Sequence, residues 1–446
     1  MKRHVDERLT AWKNKPYRKS LLLRGARQVG KTYSVRELAK QFPSYIEVNF
    51  ELMPKVRTFF EEDREPQELV RKLSSYFNMS VTPGETLLFL DEIQACPDAL
   101  HSLRYFYEEM PGLHVIAAGS LLEFALEELS SFGVGRIEFL YMYPLSFFEF
   151  LEATKAGRLV SLIKEMTPDK PLDGPFHDKL MELMRYFIMT GGMPEVVATF
   201  AGTNDVAAAV RVQNALLLSL TNDFAKYRKR APTRRLTEVF RSIAMQSGSK
   251  FKYSAVSDES STLIKDSLEL LIKAGIAYPV IHSDARGVPL GAQIRPRRFK
   301  VIVFDTGLTM RLLGMKTAEV VTTPFEELVN RGSLAEQFVG LELMKASPPE
   351  GPSDLYYWHR EAAASNAELD YVTTYERQIV PIEVKSGSRG KMQSLYRFLD
   401  ERGLQRGFRV AGEPAGQYDR IIVLPLYAVA NLQDEKWMRD NFPSRA

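Results

Sequence analysis

At 446 residues the chain exceeds one typical domain, so roughly two to four domains are expected. Its 45% hydrophobic content is that of an ordinary soluble globular protein, and a net charge of +3 is too small to argue for nucleic acid by itself. A lone Cys96 excludes an internal disulfide, and the chain shows no zinc-ligand cluster, membrane-spanning apolar run or signal-like N-terminus, so a cytoplasmic location is expected.

In chain order, Trp12 comes first, in a segment that packs either on a nucleotide base or in the core. Residues 20–24 (Ser-Leu-Leu-Leu-Arg) read as a buried strand, and residues 33–42 read as a helix. Between them stand Gly25, Ala26, Arg27, Gln28, Val29, Gly30, Lys31 and Thr32, a G-x-x-x-x-G-K-[ST] loop. A strand–loop–helix turn points successive backbone N–H groups inward, and the helix N-terminus adds partial positive charge. Gly25 and Gly30 let the backbone wrap phosphate, Lys31 reaches the β- and γ-phosphates, and the Thr32 hydroxyl binds Mg²⁺.

A second apolar strand, residues 86–90, ends in Asp91 and Glu92. Asp91 is expected to hold Mg²⁺ as a Walker B acid, and Glu92 to polarise the attacking water as general base. Residues 113–118 form a third strand ending at Gly119 and Ser120. Ser120 stands where a polar sensor touches the γ-phosphate or the water, although Gly-Ser also ends many strands harmlessly.

Strands alternate with helices to about residue 155, which predicts an α/β nucleotide-binding domain over 1–155. Residues 156–234 turn helical, broken at Gly191-Gly192-Met193-Pro194. Residues 235–328 hold an amphipathic helix from Ser261 that stops at Gly275, then two short strands, 277–282 and 298–304, which suggest a winged helix. Two basic stretches flank this unit: Lys226 to Arg235, and Arg295 to Arg298. Such runs are either solvated surface or phosphate contacts to DNA.

Residues 329–446 open with a helix over 333–346 and continue in α-β-β-β-α-β order. Asp370 lies on one strand, and Glu383 and Lys385 share a face of the next. Asp370 and Glu383 could jointly hold Mg²⁺, Glu336 could add a third carboxylate, and Lys385 could position a hydroxide. This is the D…E-x-K pattern of restriction-endonuclease-like nucleases, but an E-x-K on a strand is also a common solvated face.

The chain resembles the bacterial and archaeal AAA+-type ATPases that couple an AAA_14 ATP-binding domain to a DUF4143 domain. The resemblance rests on residues 25–32, 87–92 and 119–120, on Gly135-Arg136 leading to residues 143–150, and on residues 191–195. It continues through a K-x-x-x-x-D-x-G-L stretch from Lys300 to Leu308, and through Tyr357-Trp358-His359-Arg360, Asp370, Glu383 and Lys385. It implies a P-loop NTPase core, a helical and winged-helix middle, and a PD-(D/E)XK-like end. In the family's Gly-Arg position, Arg136 would act as a sensor or finger on the γ-phosphate, in cis or from a neighbour, or else form a surface ion pair. No second-region-of-homology arginine pattern is present, so a monomer or small homo-oligomer is expected.

The expected function is ATP hydrolysis with Mg²⁺, the nucleotide state controlling the C-terminal domains. DNA and an unidentified protein are the two partner classes considered. The alternatives are an ATP-regulated, metal-dependent DNA nuclease and a non-enzymatic nucleotide switch.

Overall fold

The computed structural model describes all residues except 64, 121, 123–134, 228–229, 331–332, 361–366, 386–391 and 444–446. The chain divides into two compact units, one formed mainly by residues 1–143 and the other by most of residues 144–446. No helix among the described residues is long and apolar enough to cross a membrane.

In the first unit, five described strands form one sheet in the order β2-β3-β4-β1-β5, with every neighbouring pair parallel. They are β1 (Ser20–Arg24), β2 (Ser44–Asn49), β3 (Thr86–Asp91), β4 (His114–Ala118) and β5 (Ile137–Tyr141). β3 and β4 are buried along their whole length, as unbroken apolar runs in a parallel sheet should be. Leu22, Leu88, Leu90, Val115 and Ala117 pack with Phe60, Leu69, Leu103 and Phe106 from the helices on one face. Because all strands run the same way, the loops after β1, β3 and β4 open on one edge, with β4 between β1 and β3.

Trp12 belongs to the core. It is buried, its indole N–H donates to the Lys19 carbonyl at 2.9 Å, and its ring meets His114 edge-on at 5.8 Å. Lys19 precedes β1 and His114 opens β4, so this cluster lies at the sheet edge opposite the P-loop. Cys96 is buried too, and burial pushes its thiol up to about 11.

The second unit begins with helices. Helix Gly174–Thr190 ends at Gly191 with φ +69°, and Pro194 starts helix Pro194–Thr203, which is the expected break. Helix Ser261–Lys273 is followed by Gly275 at φ +71°, as its sequence predicts. The stretch after Tyr143 proves architectural. Ser146 and Glu149 form a reciprocal capping box on helix Phe147–Ala153, and the Phe147 N–H donates to the buried Glu342 carboxylate at 3.0 Å.

Eight described strands form a mixed sheet in the order β12-β13-β11-β10-β9-β8-β6-β7. They are β6 (Ala277–Ser283), β7 (Ile294–Val303), β8 (Leu355–His359), β9 (Glu368–Tyr375), β10 (Gln378–Val384), β11 (Gly407–Ala411), β12 (Gly416–Tyr418) and β13 (Ile421–Pro425). The β6–β7 hairpin, read from sequence as a wing, is one end of this sheet rather than a projection from a separate unit. β6 pairs in parallel with β8 through Val280–Leu355 and Ile281–Tyr356, so no break in the sheet falls at 328/329. That pairing satisfies the backbone groups that a free-standing wing would leave to solvent.

Candidate functional site

The loop after β1 has the conformation its glycines predict. Gly25 has φ +140°, and a Cβ there would stand 2.1 Å from the Met142 carbonyl oxygen. Gly30 has φ +97° and caps helix Lys31–Ala39. Gln28 also takes a left-handed conformation, φ +64°. The Lys31 ammonium is buried and donates to the carbonyls of Gly25 at 2.9 Å and Ala26 at 2.8 Å. Burial lowers its pKa to about 8, against the upward pull of Glu92 and Asp91.

β3 brings the Walker B pair to the same edge. The Thr32 hydroxyl donates to Asp91 Oδ2 at 3.2 Å, and the Glu92 N–H donates to Asp91 Oδ1 at 3.0 Å. Burial, then the charge of Glu92, raises the Asp91 carboxyl above its ordinary value. Thr32 and Asp91 form the hard-oxygen pair that suits Mg²⁺, and Gly30 starts the helix behind the loop with a left-handed backbone, so the residues present fit Mg²⁺-nucleotide. Glu92 sits at φ +49°, ψ +44°, a left-handed backbone that is strained for a residue with a side chain. Ser120, after β4, accepts from Arg27 Nε at 3.0 Å, which ties the expected sensor position to the P-loop.

Two contacts at this edge were not read from the sequence. The Asn49 side-chain amide donates to Asp91 Oδ2 at 3.2 Å, and the Gln94 amide donates to Glu92 Oε2 at 2.6 Å. A Cβ on Gly119 would stand 2.1 Å from Gln94 Oε1, so the glycine after β4 makes room for that amide. Asn49 ends β2, the strand beside β3, and that placement was the available signal.

Arg136 does not reach this site in cis. β1 and β5 pair in parallel, with Ser20 opposite Ile137 and Arg24 opposite Tyr141. Arg136 therefore stands at the N-terminal edge of the sheet, about 20 Å along the strand from the P-loop at ~3.3 Å per residue. Its Nε pairs with Glu108 at 3.1 Å, the surface ion pair that was the alternative. Arg136→Ala is expected to change ATP turnover by less than about twofold, since an exposed pair contributes little. A steady-state phosphate-release assay checks this, and a large loss would put an arginine from a second copy into the site.

The lowered Lys31 pKa has a consequence for binding. In the free protein Lys31 loses its proton as pH rises through about 8. Bound phosphate favours the ammonium, so the complex holds more protons than the free protein above that pH. ATP affinity is expected to fall as pH rises through about 8, with proton uptake on binding. Titration calorimetry in two buffers of different ionisation enthalpy measures the uptake, and zero uptake at about pH 8.5 would contradict the assignment.

In the second unit, the four C-terminal candidates lie close enough to act on one another's charge, and a further cation joins them. Lys385 Nζ lies 2.6 Å from Glu383 Oε1, and the Val384 N–H donates to Asp370 Oδ2 at 2.8 Å. Glu336 and Asp370 also meet Lys300. Its ammonium lies 2.5 Å from Glu368 Oε1, 3.5 Å from Glu336 Oε2 and 3.9 Å from Asp370 Oδ1. Burial, then the charge of Asp370, raises Glu336 to about 8 and Glu383 to about 7. Burial alone would lower Lys300, but Glu336, Asp370 and Glu368 more than offset it and hold it above its ordinary value. Among the described residues, no group of three or more His, Cys, Asp or Glu side chains converges as a metal site. A divalent ion shared by Glu336 and Asp370 does not fit while Lys300 stands against both. Lys300 and Glu368 had no assigned role in the sequence reading; the signal was a lysine inside the apolar strand Phe299-Lys300-Val301-Ile302-Val303, which must find charged partners if buried.

The basic stretches are partly neutralised. Arg234 pairs with Glu238 at 2.8 Å, Arg235 pairs with Glu259, and Arg295 makes two bonds to Asp284 at 2.9 Å each. Arg230 and Arg297 are exposed. Arg228 and Lys229 lie outside the described residues.

Residues 17–151 match AAA_14, an AAA domain, and residues 331–429 match DUF4143, a domain of unknown function. The P-loop and Walker B residues therefore sit in an AAA-type P-loop ATPase domain. A third match, to DUF8612, a domain of unknown function, covers residues 181–319 and so spans the helices and the β6–β7 hairpin together. Among solved structures, the Walker-type ATPase PABY2304 of Pyrococcus abyssi is similar at 19% identity and a TM-score of 0.44, over 70% of this chain and 95% of that one. The ORC1 protein of Aeropyrum pernix, solved in complex with DNA, is similar at 14% identity and a TM-score of 0.25, over 70% of this chain and 93% of that one. No curated protein matches the chain.

Proposed function

We propose that this protein binds ATP with Mg²⁺ in its AAA_14 domain, hydrolyses it to ADP and phosphate, and uses the nucleotide state to control its C-terminal unit in work on DNA. The observation that carries the reading is the meeting of Thr32 and Asp91 at 3.2 Å, with Lys31 and Glu92 beside them, at one edge of a parallel sheet. Lys31 and the loop amides bind the phosphates, and Thr32 and Asp91 hold Mg²⁺, which when bound neutralises phosphate charge. Glu92 takes the proton of the attacking water, and Ser120 orients that water or the γ-phosphate.

DNA enters the reading through exposed Arg230 and Arg297, which lie in the two basic stretches. Phosphate release measured with and without duplex and single-stranded DNA tests the proposal. Turnover stimulated by DNA supports it in full. Turnover indifferent to DNA leaves an ATPase that answers to a protein partner. Nucleotide binding without turnover would replace the enzyme by a switch.

A further inference from the structure

In the C-terminal unit, carboxylates gather around a cation of the chain's own. Four carboxylates, Glu336, Glu368, Asp370 and Glu383, come from helix Leu334–Ala346 and strands β9 and β10. Lys300, from β7, stands among three of them. Its side chain is 4% exposed, and its ammonium also lies 5.3 Å from the ring centroid of the fully buried Tyr357. The ammonium is thus held between an aromatic face and a set of carboxylates, with its stem in the sheet.

We propose that Lys300 is a built-in cation that takes the place of a divalent metal shared by Glu336 and Asp370, so that these two carboxylates take up no metal between them in the native arrangement. The inference rests on the nuclease-like reading of that unit. A metal ligated by Glu336 and Asp370 would need their oxygens at roughly 2.0–2.6 Å. It would then stand against an ammonium already 3.5 and 3.9 Å from the same two groups, where like charges repel strongly with little water between them. Retracting Lys300 would bury its charge without partners or break its contacts with Glu368 and Tyr357, and burying an unpaired charge is strongly unfavourable. The internal cation is therefore the stable occupant beside Glu336 and Asp370.

The test is Mn²⁺ uptake by the full chain, followed by electron paramagnetic resonance without nucleotide, in an Asp91→Asn background that removes the P-loop metal ligand. With Lys300 present, no Mn²⁺ binding that depends on Asp370 is expected. Lys300→Met should gain about one equivalent of Mn²⁺, and adding Asp370→Asn should abolish it again. Lys300→Met with Glu368→Gln serves as a second variant, since it restores the charge balance if the single substitution fails to fold. Uptake with Lys300 in place that is lost on Asp370→Asn would overturn the inference and leave the nuclease reading standing. A folded Lys300 variant that binds no Mn²⁺ would overturn both. If neither variant folds, the measurement with Lys300 present decides: uptake dependent on Asp370 overturns the inference, and its absence supports it.

Discussion

Glu92→Gln is expected to lower ATP turnover by about a hundredfold or more while leaving nucleotide binding within a few-fold of normal, since a positioned general base typically contributes that much. The substitution keeps the size and shape of the side chain and removes only its basicity. Asp91, Thr32 and Lys31 are untouched, so the contacts that hold Mg²⁺ and phosphate remain. The Gln94 amide that now donates to Glu92 Oε2 would find the glutamine carbonyl oxygen in the same place, so the local structure is expected to persist. Fluorescent-nucleotide binding and phosphate release, measured on the same preparation, separate the two effects. A variant that loses binding as well would mean that Glu92 supports the loop rather than the water.

Asp305→Ala is expected to destabilise the protein by about 3 kcal/mol, as two buried N–H groups lose their acceptor and a helix loses its cap. Asp305 is buried at 1% exposure and accepts from the Gly192 N–H at 2.7 Å and the Leu308 N–H at 3.0 Å. It thereby starts helix Thr306–Leu312 and pins the break after helix Gly174–Thr190. The two glycine positions around it are equally constrained. A Cβ on Gly191 would stand 2.1 Å from Asp305 Oδ1, and one on Gly307 would stand 2.2 Å from Gln213 Nε2. Asp305→Asn retains one acceptor oxygen and should lose less. Urea midpoints for the two variants measure the difference, and equal losses would place the effect in the charge rather than in the lost acceptor.

That interlock shows why the family stretches were recognisable but not interpretable from sequence. Gly192 and Asp305 are 113 residues apart, and their structural role exists only once the fold joins them. The P-loop and Walker B strands were legible because the signal is local: an unbroken apolar run, then glycines or acids at its end. The polarity of a parallel sheet then places Asp91 beside Thr32 with little freedom. The alternatives for Arg136 stayed open in the sequence because the Gly-Arg pair carries no sign of which end of β5 it stands on; the register of β5 against β1 places it away from the P-loop of its own chain. The β6–β7 hairpin looks the same locally whether it stands alone or joins a sheet, and its pairing with β8 spans residues 280 and 355. Lys300 acquires its role from one helix and two strands whose carboxylates meet only in the folded unit.

The most direct test of the account is hydrolysis of ATP under single-turnover conditions in Mg²⁺, with wild type and Glu92→Gln side by side. Conversion of bound ATP to ADP and phosphate by wild type, and its near-absence in Glu92→Gln with ATP still bound, is the predicted result. ATP that stays intact on both proteins, or that is cleaved equally by both, would contradict the assignment of Glu92 as the base of an ATPase.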